Sequence, residues 1–373
     1  MASPRLTPLV ESLPSTVPFT GPETLELQRG KPFTARIGAN ESSFGPAPSV
    51  IQAMQEEASE VWKYGDPENY ALRQAIAAHH RVKPENIMPG AGVDALLGLV
   101  VRLYVQQGDK VINSLGGYPT FNYHVAGFGG NLLTVPYNAD KPDLDALIDK
   151  AHQEKPALLY ISNPDNPMGT WHDGADIQAF IERIPETTML ILDEAYCETG
   201  PASAFPAFET DRTNILRMRT FSKAYGLAGI RVGYTVGCAD AIKSFDKIRD
   251  HFAVSRIAQA AAIAALKDQD YLHAVVGKIH AGRDRVAKIA EQQGLKPIPS
   301  ATNFVTIDCG HDGAFATAVL NGLIERDIFV RKPGAPVLDR CIRVSVGVNE
   351  QLDMFEAALP AALASARNAL NKA

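Results

Sequence analysis

Short apolar runs alternate with helix-like segments through the middle of the chain, and this alternation constrains the fold more than any other feature. The apolar runs are too short to form helices, and they have the hydrophobic residues of fully buried strands. They are VIN at 111–113, LLTV at 132–135, ALLYIS at 157–162, MLILD at 189–193 and NILRM at 214–218. Helical patterns such as that at 176–184 separate most of them. The alternation predicts an α/β fold with a mainly parallel sheet that helices cover on both faces.

The pattern divides the chain into two units. The longer helical patterns lie at 49–62, 67–81, 253–267 and 271–293, and further strand patterns lie at 303–308 and 341–348. We expect a large α/β domain at 45–245, because longer helical patterns replace the alternation of short strands and helices after about Asp246. A smaller α+β domain comprises 246–373 together with the proline-rich residues 1–44, which have too little helical pattern to form a domain of their own.

Composition restricts the classes of function. The 373 residues carry a net charge of -6, which argues against a broad surface for nucleic acid or anionic membranes. The four cysteines form no C-x-x-C pair, and the nine histidines lack the spacing of metal ligands, so we predict free thiols and no metal. No signal peptide or membrane-spanning run is recognisable, and we therefore expect a cytoplasmic protein without a membrane partner.

Polar or glycine-rich segments follow several predicted strands, at the edge of an open α/β sheet where ligands bind. The glycines of PGAGVD at 89–94, before a helical pattern at 95–105, allow backbone N–H groups to close on a phosphate. Two prolines make the turn NPDNPMG at 163–169 rigid enough to aim the amide of Asn166. Each segment taken alone is more often an ordinary turn.

Two charged residues at this edge suggest catalysis. Asp193 ends a buried strand, where a carboxylate needs a cationic partner and could hold a heteroaromatic ring protonated, although an aspartate after a strand is often only a helix cap. Lys223 lies among apolar and small residues, whereas most lysines are solvated. A partly desolvated amine loses its proton more easily and can form a Schiff base.

The chain resembles the fold-type I pyridoxal-phosphate aminotransferases, and most of all the histidinol-phosphate aminotransferases and their close relatives. The resemblance extends from about Ile37 to Val348, and SKAYGLAGIRVGY at 222–234 is its most specific part. It rests on the order and spacing of Asn166, Asp193, Tyr196, Ser222, Lys223 and Arg231. It implies a seven-stranded sheet, pyridoxal phosphate as cofactor, an amino acid and a 2-oxo acid as substrates, and a homodimer with shared active sites.

The resemblance also implies a role for each matching residue. Lys223 would hold the cofactor as a Schiff base and act as general base, and Asp193 would pair with the pyridinium nitrogen. The remaining cofactor contacts would be Asn166 and Tyr196 at the ring oxygen, Tyr118 stacked on the ring, and Gly92, Val93, Asp94, Ser222, Arg231 and the neighbouring subunit's copy of Tyr64 at the phosphate.

Arg343 and Arg331 match positions that bind anionic groups of the substrate, and Asn166 lies beside them in the resemblance. Other positions depart from the pattern. The motif Asn-Glu-Asn-Pro-Tyr-Gly reads NESSFG at 40–45, which places Phe44 at the tyrosine, and the acidic residue expected after Asp94 is Ala95.

Phe19 and Phe252 fall where the relatives have tyrosines that help to bind the phosphate of histidinol phosphate. Each lost hydroxyl weakens such binding by about 0.5–1.5 kcal/mol and leaves a more apolar pocket. We therefore expect an amino donor with an apolar or aromatic side chain to be favoured over histidinol phosphate.

Three alternatives remain at this point. A decarboxylase of the threonine-phosphate decarboxylase type shares the cofactor motifs, and the choice between the two reactions depends on pocket geometry. A dinucleotide-dependent dehydrogenase explains the α/β pattern but lacks G-x-G-x-x-G with a following acidic residue and leaves Lys223 without a role. A pyridoxal-sensing transcription factor needs a DNA-binding domain, for which we expect no room before Ile37 or after Val348.

Overall fold

The structure is a computed structural model, and it describes residues 4–15 and 19–370. Its α-helices are α1 (Pro8–Ser12), α2 (Pro22–Arg29), α3 (Pro48–Ala58), α4 (Tyr70–His80), α5 (Val93–Tyr104), α6 (Pro119–Gly127), α7 (Leu144–Glu154), α8 (Gly174–Arg183), α9 (Ala239–Ser244), α10 (Arg256–Lys267), α11 (Gln269–Gln292), α12 (Gly313–Glu325) and α13 (Asn349–Leu370). Its strands are β1 (Ala35–Arg36), β2 (Ile87–Gly90), β3 (Lys110–Ser114), β4 (Asn131–Val135), β5 (Tyr137–Asn138), β6 (Lys141–Pro142), β7 (Leu158–Ser162), β8 (Met189–Asp193), β9 (Ile215–Thr220), β10 (Gly233–Gly237), β11 (Lys296–Pro297), β12 (Phe304–Asp308), β13 (Ile328–Phe329) and β14 (Cys341–Ser345). Short 3₁₀ helices occupy Pro84–Asn86, Ala202–Ala204, Ala228–Ile230, Phe245–Lys247 and Leu338–Arg340.

Seven strands form the central sheet in the order β2-β10-β9-β8-β7-β3-β4. All neighbours are parallel except β10, which is antiparallel to both β2 and β9. The predicted mainly parallel seven-stranded sheet is therefore confirmed. The chain leaves β4 and crosses back past β3 to β7, so the strand order reverses between β3 and β7. In open α/β sheets, ligands bind at such a reversal, outside the carboxyl ends of the strands.

The central strands are hydrophobic along their whole length because both faces of the sheet are covered. Every residue of β7 and β8 is buried. On β7, Leu158 and Tyr160 contact the cluster around α5, whereas Leu159 and Ile161 contact the cluster around α7 and α8. This period of two explains why the runs lack the polar alternation of a half-exposed strand.

A second unit surrounds the three-stranded sheet β11-β12-β14. Its core combines residues of that sheet with α12 and α13, and Ala35 and Ile37 from the N-terminal region belong to the same core. Strand β1 pairs in parallel with β13, which attaches this early segment to the C-terminal unit.

The packing of α10 differs from the division expected at residue 245. Helix α10 packs against α3 and α4 of the large unit. Its buried face consists largely of alanines, such as Ala258, Ala261 and Ala262, and these small side chains let the helices approach closely. The following helix, α11, begins in the large unit's core with Leu272 and ends in the second core with Val286. The two cores therefore meet along α11.

Two features bear on the cellular setting. All four cysteines are unpaired, and three of them are buried. Among the described residues, no helix combines the length and hydrophobicity that crossing a bilayer requires.

Gly282 allows α11 to approach Val346, which follows β14, closely. A Cβ atom added there would lie 2.3 Å from Cγ1 of Val346, a stiff β-branched side chain, whereas one added at Gly277 of the same helix would meet nothing within 4 Å. We expect Gly282→Ala to lower the free energy of unfolding by about 1–3 kcal/mol through overpacking. Gly277→Ala should raise it by up to about 1 kcal/mol through helix propensity. Urea unfolding followed by circular dichroism measures both, and effects of the same sign would contradict this packing.

Candidate active site

The carboxyl ends of β7, β8 and β9 and the start of α5 surround a cavity of about 330 Å³. A second cavity of about 670 Å³ adjoins it and shares Tyr118, Asn166 and Lys223 with it. The predicted site residues that line the first cavity are Val93, Asp94, Tyr118, Asn166, Asp193, Tyr196, Ser222, Lys223 and Arg231. The sheet edge thus brings together residues that lie far apart in the sequence.

Lys223 lies in the loop after β9, with its side chain half-buried in the cavity. Its Nζ donates to the backbone oxygen of Asn40 at 3.3 Å and lies 5.5 Å from the centre of the Tyr196 ring. Burial and the positive charge of Arg343 lower the pKa of this amine to about 8. A substantial fraction of Lys223 is therefore neutral near physiological pH and able to act as a nucleophile or a base.

Asp193 ends β8 with a buried carboxylate. Its Oδ2 accepts from the hydroxyl of Tyr160 at 2.8 Å, and its Oδ1 accepts from the N–H of Ala195 at 2.9 Å. Burial raises its pKa to about 6. In the part of the chain that the structure describes, no lysine or arginine forms an ion pair with it. A positively charged N–H from a ligand fits this carboxylate.

Tyr160 was not predicted from the sequence. The only signal was one aromatic hydroxyl in the otherwise aliphatic strand ALLYIS at 157–162. Its hydroxyl is buried against Asp193, and burial raises the pKa of the phenol well above its ordinary value. Tyr160 therefore stays protonated and donates to the carboxylate.

An anion cradle lies at the N-terminus of α5. The helix begins at Val93 after Gly92, whose φ of 85° favours glycine. A Cβ on Gly92 would lie 2.6 Å from Nη2 of Arg231, so the missing side chain lets the guanidinium approach the helix start. Ser222 lines the same cavity. Free N–H groups of a helix's first turn, a hydroxyl and a guanidinium together suit a phosphate.

Tyr118 forms a wall between the two cavities. Its hydroxyl donates to Oδ1 of Asp94 at 2.7 Å, and Asp94 lies 3.7 Å from the guanidinium of Arg231. Burial raises the pKa of the Tyr118 phenol well above its ordinary value, so the hydroxyl stays protonated and continues to donate to Asp94. The ring is thereby fixed beside the cradle, where it can stack on a flat ligand.

Asn40 is a second residue that sequence reasoning did not assign to the site. Its Nδ2 donates to the hydroxyl of Tyr196 at 2.9 Å. The hydroxyl of Ser345 accepts from the backbone N–H of Asn40 at 3.0 Å and donates to its Oδ1 at 3.1 Å. The motif NESSFG at 40–45 was noted as a variant pattern, but nothing local shows that Asn40 reaches a residue 156 positions away.

Asp165 fixes the turn that carries Asn166. Its buried carboxylate accepts from Tyr137 Oη at 2.9 Å and from the N–H of Met168 at 2.9 Å. Burial raises its pKa to about 7. The neighbouring Asn166 accepts from Nη1 of Arg343 at 2.6 Å, which joins the large unit to β14 of the second unit.

Arg343 and Arg331 lie side by side at the larger cavity. Their backbones pair through two hydrogen bonds, of 2.6 and 3.2 Å. The Nε of each arginine is buried without a partner among the described residues. Burial lowers the pKa of both, although guanidinium groups remain charged in proteins. Unpaired buried donors next to a cavity fit an anionic group of a substrate.

The structure does not bring every predicted residue to the cavities. Phe19 lines the larger one, with its ring 5.2 Å from the guanidinium of Arg331. The rings of Tyr64 and Phe252 are tilted against each other with their centroids 4.5 Å apart. In the single chain the two residues are 79% and 47% exposed and line neither cavity. Phe44 packs against the core of the large unit and lines neither cavity. Substrate contacts of Phe44 and Phe252 remain predictions.

Comparisons with known proteins agree with this geometry. The family described as aminotransferase class I and II matches residues 35–359. The histidinol-phosphate aminotransferase of Moorella thermoacetica is 31% identical over 365 residues, which cover 97% of this chain and 94% of that protein. Histidinol-phosphate aminotransferase 1 of Mesorhizobium japonicum is 35% identical over 332 residues, which cover 87% and 89%.

Two solved structures show the same architecture. The crystal structure of histidinol-phosphate aminotransferase from Sinorhizobium meliloti in complex with pyridoxal-5'-phosphate has a TM-score of 0.95 and 53% identity, and the match covers 98% of this chain and 99% of that one. A double mutant of Thermus thermophilus aspartate aminotransferase shares the fold, with a TM-score of 0.77 and 21% identity over 96% of this chain and all of that one. The chain therefore belongs to the class I and II aminotransferases.

Proposed function

We propose that the protein uses pyridoxal phosphate, held by Lys223, to transfer an amino group to a 2-oxo acid. We infer that the donor is an amino acid with an apolar or aromatic side chain, or histidinol phosphate. The observation that carries the proposal is the position of Lys223 and Asp193 on one cavity that also contains an anion cradle. When bound, the cofactor supplies a carbon that reacts with amines and a ring that withdraws electrons from the substrate Cα.

Three parts of the cavity match the three polar parts of this cofactor. The first turn of α5 with Ser222 and Arg231 suits the phosphate. Asp193, which has hydrogen bonds but no cation, suits the ring nitrogen. Lys223, with its lowered pKa, suits the reactive carbon. The donor set therefore fits the cofactor.

Lys223 and Asp193 divide the proton transfers. Nζ of Lys223 takes the proton from the substrate Cα, because an amine with a pKa of about 8 accepts and releases protons near neutral pH. Asp193 is ionised above its pKa of about 6, so at neutral pH its carboxylate would stabilise a proton on the ring nitrogen of a bound cofactor. Tyr160 and Ala195 orient the carboxylate for this task.

Tyr196 is a buried residue that lines the same cavity. Burial raises the pKa of this phenol, so the hydroxyl keeps its proton and remains a donor while it accepts from Asn40. Arg343 donates to Oδ1 of Asn166 and so fixes the orientation of the amide. The N–H groups of that amide then face away from Arg343 and can donate to a ligand. Both side chains can therefore donate to an oxygen on the ring.

The substrate side carries features that favour two donors. Arg343 offers a carboxylate its Nε, which has no partner within the described part of the chain, and the apolar groups of Phe19, Pro333 and Ala335 line the larger cavity. These features support an amino acid with an apolar or aromatic side chain. The unpaired Nε of Arg331 suits the phosphate of histidinol phosphate, which the cited relatives carry in their names. Those names do not favour the decarboxylase alternative.

A second copy of the chain completes this proposal. Tyr64 and Phe252 form an exposed aromatic pair that the single chain leaves uncovered. We propose that the partner subunit covers this pair in a homodimer and that Tyr64 reaches the partner's phosphate cradle.

The unpaired cysteines support a cytoplasmic location, since such thiols persist in a reducing compartment.

Replacement of Lys223 tests the proposed reaction most simply. We expect Lys223→Ala to lower kcat by more than about 1,000-fold, because both the covalent anchor and the general base are lost. Borohydride reduction followed by mass spectrometry should find no cofactor attached to this variant. Lys288→Ala, at an exposed position of α11, is the matched control and should behave as wild type. Retention of both turnover and attachment in Lys223→Ala would refute the assignment.

The pH dependence of cofactor attachment tests the environment of Lys223. Attachment needs the neutral amine, so its rate at a fixed cofactor concentration should rise with pH and reach half of its maximum near pH 8. Arg343→Gln removes a charge that lowers the pKa of Lys223, so its midpoint should move to higher pH. Arg285→Gln, which breaks an exposed pair with Asp353, should leave the midpoint unchanged. Stopped-flow absorbance measures the rates, and a midpoint near 10.5 in wild type would contradict this environment.

A screen of amino donors decides the substrate. We expect kcat/KM for phenylalanine or leucine to equal or exceed that for histidinol phosphate. Phe19→Tyr should raise kcat/KM for histidinol phosphate by about 2- to 10-fold, because the added hydroxyl contributes about 0.5–1.5 kcal/mol to phosphate binding. A wild-type enzyme that uses histidinol phosphate far better than either amino acid would overturn the preference and leave the reaction class intact.

A further inference from the structure

A carboxylate that has no part in the proposed chemistry is buried directly beside Asp193. Glu194 is 1% exposed, and both of its oxygens accept from arginines. Oε1 accepts from Nε and Nη2 of Arg217 at 3.1 and 2.5 Å, and Oε2 accepts from Nε of Arg219 at 2.9 Å. We call these three residues the Glu194 clamp.

The clamp joins the two strands that carry the catalytic groups. Asp193 pairs in register with Met218 of β9, and the backbone N–H of Glu194 donates to the oxygen of Met218 at 2.8 Å. Arg217 and Arg219 are two positions apart on β9, so they point to the same face of the sheet. Strand β9 leads directly into the loop of Lys223. The carboxylate therefore ties the end of β8 to the strand that precedes the lysine.

The arginines of the clamp are themselves fixed. The ring of Phe208 lies 4.2 and 4.8 Å from the guanidinium carbons of Arg217 and Arg219. Nη1 of Arg217 donates to the backbone oxygens of Pro206 and Ala207, each at 2.8 Å. These contacts leave Arg217 little freedom, so the position of the Glu194 side chain is determined by groups outside its own loop.

The charge of Glu194 is also maintained. Burial raises the pKa of Glu194, but the two arginines lower it by more than burial raises it. The net effect is a pKa below the ordinary value. An ionised carboxylate between two guanidinium groups is held more strongly than a neutral amide in the same place.

We propose that Glu194 is a positioning residue, which fixes the direction of the Asp193 carboxylate and its distance from Lys223. Glu194 lies between Asp193 and the N–H of Ala195 that binds Oδ1 of Asp193, so movement of the clamp displaces both. A displacement of about 1 Å at a catalytic group costs about 100-fold in rate. The inference rests on the proposed function, since it gives Asp193 the task of holding the ring proton.

Glu194→Gln tests the clamp, because one amide N–H then faces an arginine N–H. We expect kcat to fall about 10- to 100-fold with KM for the amino donor changed less than about twofold. The visible circular dichroism of the bound cofactor should change, and its dissociation constant should rise by about fivefold or more. In an Asp193→Asn background the same substitution should change that dissociation constant less than about twofold, because the group through which Glu194 acts is already altered.

Thr188→Val is the matched control for a loss of stability alone. Thr188 is fully buried immediately before β8, at the opposite end of that strand, and donates to the oxygen of Pro156 at 2.8 Å. It should lower Tm without changing the circular dichroism of the cofactor or its dissociation constant. If Glu194→Gln lowers Tm in the same way and leaves kcat and both cofactor measurements at wild-type values, the proposal is wrong.

Arg219→Gln serves as the second variant if Glu194→Gln does not fold. It removes the donor to Oε2 and keeps Arg217 on Oε1, and we expect the same direction of change in kcat and in the circular dichroism. Wild-type values in a folded Arg219→Gln would overturn the proposal. A wild-type protein that neither binds the cofactor nor transaminates would refute the proposed function, and this inference with it. An active wild type with unaffected clamp variants would refute the inference alone.

Discussion

The site depends on one buried carboxylate at the end of a central strand. Asp193 is the last residue of β8, a strand with both faces covered, and burial of its charge costs free energy unless donors compensate. Tyr160 and Ala195 supply two hydrogen bonds, and a protonated ring nitrogen would supply the missing cation. The charge of the neighbouring Glu194 is instead compensated within the chain, by ion pairs with Arg217 and Arg219. Of these two adjacent buried carboxylates, Asp193 is suited to a cationic group of a ligand, whereas Glu194 is paired with arginines of the chain itself.

The net charge of -6 and the anion sites are compatible because the anion sites are local. The cradle at α5 belongs to the large unit, whereas Arg343 belongs to β14 of the second unit. The bond between Arg343 and Asn166 links the two, and both cores meet along α11. Packing of the units therefore sets the distance between the cofactor end of the cavity and the substrate end.

The sequence predicted the central sheet well where burial on both faces gives an unbroken apolar run. The run MLILD at 189–193 coincides with β8, and Asp193 and Lys223 were recognisable because they directly follow strands. Strand β10 was not predicted, since it begins inside a glycine-rich loop motif that ends at Tyr234. Asn40, Tyr160 and the role of Glu194 depend on contacts between distant segments. No local pattern encodes such contacts, whereas strand ends and helix starts are local.

We propose above that Asp193 keeps the ring nitrogen of the cofactor protonated. The most direct measurement is nitrogen NMR of the protein loaded with pyridoxal phosphate that carries ¹⁵N in its ring. We expect the chemical shift of a protonated ring nitrogen in wild type well above pH 6, where the Asp193 carboxylate is ionised, and the shift of a neutral nitrogen in Asp193→Ala. A neutral ring nitrogen in the wild-type protein under these conditions would contradict it.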